Sequence, residues 1–270
     1  MTTSPSAASI DFGGIQQPIP GPKERFFRLV WRCCGRSPGV DALLTRKLPE
    51  LKHLPERNPA DCIPDFASTE IVIRQCPIGT WSTPLIDVVV LLKCALGFRS
   101  RRILEIGSYL GHTARMLAEN TGAETRITTL DEYPEHGAAY RGTPLEQKID
   151  QRIGKISLQH FKPDEKYDLI FVDADHRFES VVNDTQVALS LLAGNGVLIW
   201  HDYQQENHFH GLNGVPEALR IFSKSIPIIA LKGTYLAMHT RYPDWETTKF
   251  VNQGETPATG GPWRNQSLRG

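Results

Sequence analysis

The feature that most constrains this chain is the stretch running from Arg102 to Thr113. An apolar run, residues 103–106, carries Glu105 and meets Gly107; a second glycine, Gly111, follows four positions later, and a helical pattern takes over at residues 114–120. A strand that gives way to a helix through a glycine turn presents free backbone N–H groups at the helix start. Gly107 and Gly111 let the backbone pass where a side chain would collide. The expectation is a small-molecule cradle at the end of a central strand, although a plain βα turn would show the same glycines.

The spacing departs from a dinucleotide fingerprint, which needs G-x-G-x-x-G with its middle glycine against a pyrophosphate. Here the order is E-x-G-x-x-x-G, so a glycine is missing and a carboxylate precedes the turn. A ligand without phosphate and with a positive charge suits that arrangement better.

Further segments fall in order behind it. Residues 126–131 form a β-rich run closed by Asp131, placed to accept ribose hydroxyls; nicotinamide enzymes use the same carboxylate, so Asp131 supports a nucleoside without choosing the cofactor. Residues 167–172 are so continuously apolar that they read as a strand buried on both faces, ending in Asp173, Ala174, Asp175 and His176. Residues 178–192 read as a helix, stopped by Gly194, Asn195 and Gly196. Residues 197–200 form another buried strand, ending in His201, Asp202 and Tyr203. Ligands of open α/β sheets bind outside the carboxyl ends of the strands, so both polar clusters should face the crevice that Gly107 faces.

The stretch around Glu105 and Gly107 resembles the first motif of class I S-adenosylmethionine-dependent methyltransferases. The combined pattern over residues 80–240 resembles the macrocin O-methyltransferase-like family, with more distant similarity to catechol and caffeoyl-CoA O-methyltransferases. The resemblance implies an α/β, Rossmann-like, doubly wound sheet of seven mostly parallel strands, with helices on both faces and an antiparallel C-terminal hairpin. Residues 227–231 and 234–238 supply the hairpin, with a helix at 215–224 before it and another at 82–96 ahead of the first strand. By the same resemblance, Glu105, Gly107, Ser108, Tyr109, Gly111, His112 and Thr113 cradle the methionyl part of S-adenosylmethionine, and Asp131 holds the ribose. Gly154, Asp173, Ala174 and His176 complete the cofactor contacts. Lys155 stands where many relatives place an adenine-binding acid, which leaves that contact to the backbone at Gly154 and Ile156.

Methyl transfer from a sulfonium needs the nucleophile placed in line and stripped of its proton. His201, Asp173 and Asp202 are the expected catalytic residues, and the same three are the candidate ligands of Mg²⁺ or another divalent metal, as the metal-dependent relatives imply. Those relatives carry an acidic pair where this chain has His201 and Asp202. Histidine is an unusual magnesium ligand, so either the metal is softer or His201 is itself the base. His208 and His210 read as a solvated loop able to fold over the site.

Composition supports this class. Thirty basic and thirty acidic residues in 270 leave no net charge, which argues against a general nucleic-acid binder. No apolar run reaches the length of a membrane span, and five cysteines without zinc spacing read as reduced thiols in a cytoplasmic protein. The chain divides into a disordered arm at 1–22, a helical and irregular cap at 23–78, the methyltransferase domain at 79–242 and a loose tail at 243–270. Within the cap, residues 23–36 mix arginines with aromatic and apolar residues. Such a helix packs on the domain or a partner subunit, or lies on a membrane surface.

The favoured expectation is O-methylation of a small polyhydroxylated acceptor, a sugar or natural product, by an enzyme for which a homodimer is a common state. Two alternatives stand beside it: an iron-dependent hydroxylase-like enzyme, and a catalytically silent membrane- or partner-binding protein that has kept the fold.

Overall fold

In the computed structural model, the described residues are 53–77, 81–203 and 214–241. The expected helix at 23–36, the loop histidines His208 and His210, and the arm and tail lie outside them.

Eight strands form one sheet in the order β1-β7-β8-β6-β5-β2-β3-β4. These are β1 (Glu56–Arg57), β2 (Arg102–Ile106), β3 (Arg126–Asp131), β4 (Ile149–Ile153), β5 (Tyr167–Val172), β6 (Leu192–Trp200), β7 (Ile229–Leu231) and β8 (Ala237–Thr240). Strands β2 to β6 are mutually parallel, and β8 runs antiparallel to both β6 and β7. The seven expected strands are present. The eighth, β1, pairs parallel with β7 at the edge, so the sheet takes in part of the segment expected as a cap. Leu54 joins it there, donating its N–H to the Tyr203 hydroxyl at 3.1 Å.

Strand alternation sends neighbouring side chains to opposite faces. Leu104 and Ile106 of β2, with Ile170 and Val172 of β5, pack against α4 (Phe178–Leu191) and α5 (Val215–Phe222). Ile103, Leu169 and Phe171 face the other way, toward α2 (Leu85–Gly97) and α3 (His112–Asn120). A short α1 (Pro59–Cys62) follows β1. Both faces are therefore covered, which is why β5 reads as a continuous apolar run. Each fully buried aliphatic side chain contributes about 1.5–3 kcal/mol relative to exposure. Trp200, fully buried, also donates its indole N–H to Thr185 Oγ1 at 2.9 Å and ties β6 to α4.

Local chemistry moved three boundaries. Helix α2 begins after Pro84, whose carbonyl accepts the Asp87 and Val88 N–H groups. The hairpin's second strand starts at Ala237, because Thr234 to Leu236 are spent on the turn: Thr234 Oγ1 donates to the Leu231 carbonyl at 2.7 Å, and the Leu231 N–H reaches the Leu236 carbonyl. Helix α4 stops at Leu191 and β6 starts at once, running through Gly194 and Gly196. The chain runs outward from β2 through β3 to β4, then returns to β5 on the other side. That reversal is the topological switch point where open α/β sheets bind ligands.

Candidate active site

Backbone hydrogen bonds carry the ladder past the strand ends and set the site side by side. The Gly107 N–H reaches the Leu130 carbonyl, the Asp173 N–H the Ile106 carbonyl, and the His201 N–H the Val172 carbonyl. Gly107, Asp173 and His201 thus stand abreast at the carboxyl edge of β2, β5 and β6.

The protein's own packing requires both loop glycines. Gly107 has φ +84°, and a Cβ there would overlap the Asp173 carbonyl oxygen. Gly111 has φ +79° and caps α3; a Cβ there would stand 2.5 Å from the Tyr140 ring. Asp131 is likewise engaged in the turn: Oδ2 accepts the Ser108 and Tyr109 N–H groups at 2.8 and 2.7 Å, and Oδ1 accepts the Tyr133 N–H at 2.8 Å. It shapes the cradle directly, leaving only its remaining lone pairs for a ribose. The exposed rings of Tyr109 and Tyr133 lie 6.2 Å apart beside it. Gly154, with φ +144°, donates its N–H to the Asp131 carbonyl and ends β4 next to this loop.

Within the cradle, two buried polar atoms have no hydrogen-bond partner: Glu105 Oε2 and Ser108 Oγ. Burial pushes the Glu105 carboxyl up to about 8. An orphaned acid behind a glycine loop is costly for folding alone and suits a ligand that brings its own donor or positive charge. Partly buried His112 opens α3, and Thr113 Oγ1 lies 3.4 Å from Thr83 Oγ1, which in turn donates to Asp173 Oδ2 at 3.1 Å. Ala174 packs its Cα against Gly107.

The polar cluster is the densest feature of the site. His201 Nδ1 lies 3.2 Å from Asp173 Oδ1 and 3.1 Å from Asp202 Oδ2, while Nε2 lies 3.1 Å from Asp87 Oδ2. His176 Nε2 lies 2.8 Å from Asp202 Oδ2 and 3.8 Å from Asp173 Oδ1. Burial opposes a charge on His201, but Asp173, Asp202 and Asp87 overcome it and push the imidazole up to about 12. Hydrogen bonds to Asp173 and Asp202 push His176 up to about 9. Burial disfavours ionised Asp173 and Asp202, yet the two imidazoles outweigh it and hold both carboxyls below the usual range. Asp202 has φ +57°, a backbone state that costs a non-glycine residue about 1–2 kcal/mol and that gathers at functional sites. Asp175 is different in kind. Its oxygens accept the Arg177 N–H and the Ser180 hydroxyl at the start of α4, so it supports the helix terminus.

His201 as general base is the sequence expectation that this geometry does not support. Both ring nitrogens are engaged by carboxyls, and no lone pair is left to take a proton while the imidazole stays charged. As metal ligands the same atoms fit once a cation displaces the Nδ1 proton. One atom from each of Asp173, His201 and Asp202 lies within 4.8 Å of the others, a one-nitrogen, two-oxygen set. Imidazole nitrogen suits zinc, iron or their neighbours better than magnesium. Sequence reasoning missed Asp87 and Thr83. The signal for Asp87 was an acid among Leu85, Ile86 and Val88 to Leu92 on an otherwise apolar helix.

Residues 104–203, which span β2 to the end of β6 and every member of this cluster except Asp87, match the family described as a methyltransferase domain. Solved structures share the fold. The chain is similar to a putative O-methyltransferase from Klebsiella pneumoniae, with 17% identity and a TM-score of 0.50 over 60% of this chain and 83% of that one. It is also similar to cofactor-bound Rv0187 from MTB, with 18% identity and a TM-score of 0.50 over 84% of this chain and 99% of that one. No curated protein sequence matches the chain significantly. Among the described residues, no helix is long and apolar enough to cross a membrane.

Proposed function

We propose that this chain is a cytoplasmic S-adenosylmethionine-dependent O-methyltransferase acting on a small polyhydroxylated acceptor, a sugar or natural product. The observation that carries the reading is the pairing of two sites on one strand edge: an orphaned buried acid behind the glycine turn, and an Asp173–His201–Asp202 trio one strand away. The Klebsiella structure, described as a putative O-methyltransferase, supports oxygen as the methylated atom, and the cofactor-bound structure supports a cofactor for this fold.

S-adenosylmethionine supplies an electrophilic methyl group on a sulfonium. Glu105 Oε2 and Ser108 Oγ would hold the methionyl amino and carboxyl groups, the turn from Gly107 to Thr113 would line their cradle, and Asp131 would offer its spare lone pairs to the ribose. A divalent cation held by Asp173, His201 Nδ1 and Asp202 would lower the pKa of an acceptor hydroxyl. Asp173 and Asp202 orient that hydroxyl and take up its proton, with His176 beside them. Transfer would form the O–C bond as the sulfonium S–C bond breaks, with the sulfur departing as a neutral thioether.

The iron-dependent alternative needs a second imidazole, and the ligand group found among the described residues contains one. The test is incubation with S-adenosylmethionine, a divalent metal and a panel of catechols, sugars and glycosylated natural products, reading S-adenosylhomocysteine formation. Turnover of a hydroxylated acceptor supports the reading, and methylation confined to amines refutes it.

A further inference from the structure

Asp87 sits on the first turn of α2, with none of its surface exposed, among Val88, Val90 and Leu91. Burying a carboxylate in such company is costly unless each oxygen is engaged. Both are: Oδ1 accepts the Tyr235 N–H at 3.0 Å, and Oδ2 faces His201 Nε2 at 3.1 Å. The neighbouring rings of Phe171 and Tyr235 stand edge-on to the imidazole, with centroids 6.3 and 6.5 Å away, and hold its plane.

A carboxylate can only accept, so the hydrogen of this contact resides on Nε2. Nδ1 is turned toward Asp173 Oδ1 and Asp202 Oδ2, so its hydrogen is the one that a cation held by these same three atoms would displace, while the hydrogen on Nε2 stays with Asp87. We propose that Asp87 is a positioning residue that fixes His201 in the Nε2–H tautomer, so that Nδ1 joins Asp173 and Asp202 in a site for a borderline divalent cation such as Co²⁺, Zn²⁺, Fe²⁺ or Mn²⁺ in preference to Mg²⁺. Metal-bound imidazoles are commonly oriented by a carboxylate on the opposite nitrogen. The inference rests on the metal-site part of the function proposed above. It goes further in assigning Asp87 a role and in naming the class of cation.

The experiment uses the full chain, stripped with a chelator and titrated with Co²⁺ and with Mg²⁺, following Co²⁺ by its visible absorption. The wild type binds Co²⁺ at least 10-fold more tightly than Mg²⁺. Asp87→Asn weakens Co²⁺ by about 10–100-fold, while Mg²⁺, held by carboxylates alone, changes less. Thermal melting and calorimetric titration with S-adenosylhomocysteine on the same samples establish that the variant is folded. Equal Co²⁺ affinity and an unchanged spectrum in Asp87→Asn would overturn the role of Asp87. Absence of metal binding by the wild type would overturn the inference together with the metal site. Neither result touches cofactor binding, which the calorimetry reads separately. A measurement needing no variant guards against misfolding: ¹⁵N NMR of the Zn²⁺-loaded wild type shows His201 protonated at Nε2 and coordinated at Nδ1. The reverse pattern refutes the proposal, as does an imidazole still protonated on both nitrogens.

Discussion

Asp87 and His201, 114 residues apart in sequence, meet in the interior at 3.1 Å, joining the first turn of α2 to the carboxyl end of β6. That contact turns the opposite face of the imidazole toward Asp173 and Asp202, and so organises the chemical half of the site from a helix that carries none of the family's recognisable motif.

Asp202 holds its strained backbone beside two imidazoles, and asparagine tolerates that backbone state. Asp202→Asn is expected to keep the fold, to lose about 1.5–3 kcal/mol of thermal stability because its charge beside the two imidazoles is gone, and to lower the methylation rate by about 100-fold or more. Unimpaired turnover measured by S-adenosylhomocysteine release would remove Asp202 from the catalytic group.

The glycines separate strain from collision. Gly142 has φ +74° with open space around its missing Cβ, so Gly142→Ala should cost about 1 kcal/mol from backbone strain alone. Gly111 has φ +79° and the Tyr140 ring in the way, so Gly111→Ala should lose about 2 kcal/mol more. Urea unfolding of the pair checks this. Equal losses would mean that the loop shifts away from Tyr140 without penalty.

Glu105 offers a test of the cradle. Its carboxyl, pushed up to about 8 by burial, is mostly protonated at neutral pH in the ligand-free protein, so Glu105→Gln replaces one neutral group by another of similar shape. Stability at pH 7 should change by less than about 1 kcal/mol. Affinity for S-adenosylmethionine should fall by about 10-fold, because the variant cannot ionise toward the ligand's ammonium. Undiminished affinity in calorimetry would show that the methionyl group binds elsewhere.

Stability has its own pH signature away from the site. Burial pushes the Asp184 carboxyl up to about 7 against the hydrogen bond from Asn183. Between the ordinary carboxylate range near pH 4 and pH 7, the folded chain therefore holds a proton that the unfolded chain has lost, and stability contributed by this group falls as pH rises. Burial lowers His239 to about 4, which works in the opposite sense: the unfolded chain binds the extra proton, so stability falls as pH drops from about 6.5 toward 4. Asp184→Asn should remove the first slope and leave the second. Its stability advantage over wild type should grow from pH 4 to 7 to on the order of 2–4 kcal/mol and then level off. A pH-independent difference in chemical denaturation would contradict the assignment.

The sequence disclosed what short-range pattern determines. The continuous apolar run of β5, the glycine turn after β2 and the helix that follows it could all be read, the helix two residues short at its start, because burial on both faces and left-handed backbone leave local marks. Asp173, His201 and Asp202 were legible because they follow such strands directly. Asp87 was not, since its partner lies 114 positions away and its own neighbourhood announces only an apolar helix. Strand β1 escaped for a similar reason: two residues carry no period, and only pairing with β7 makes them a strand. The purpose of Gly107 was also hidden, because the atom that demands it, the Asp173 carbonyl oxygen, arrives from another strand.

The most direct test of the account is calorimetric titration of the purified full chain with S-adenosylmethionine and S-adenosylhomocysteine, with and without added divalent metal. The account predicts micromolar binding of both, at one site per chain and lost in a Glu105 and Ser108 double variant that remains folded. Absence of binding to either ligand, by a protein that melts cooperatively, would contradict it.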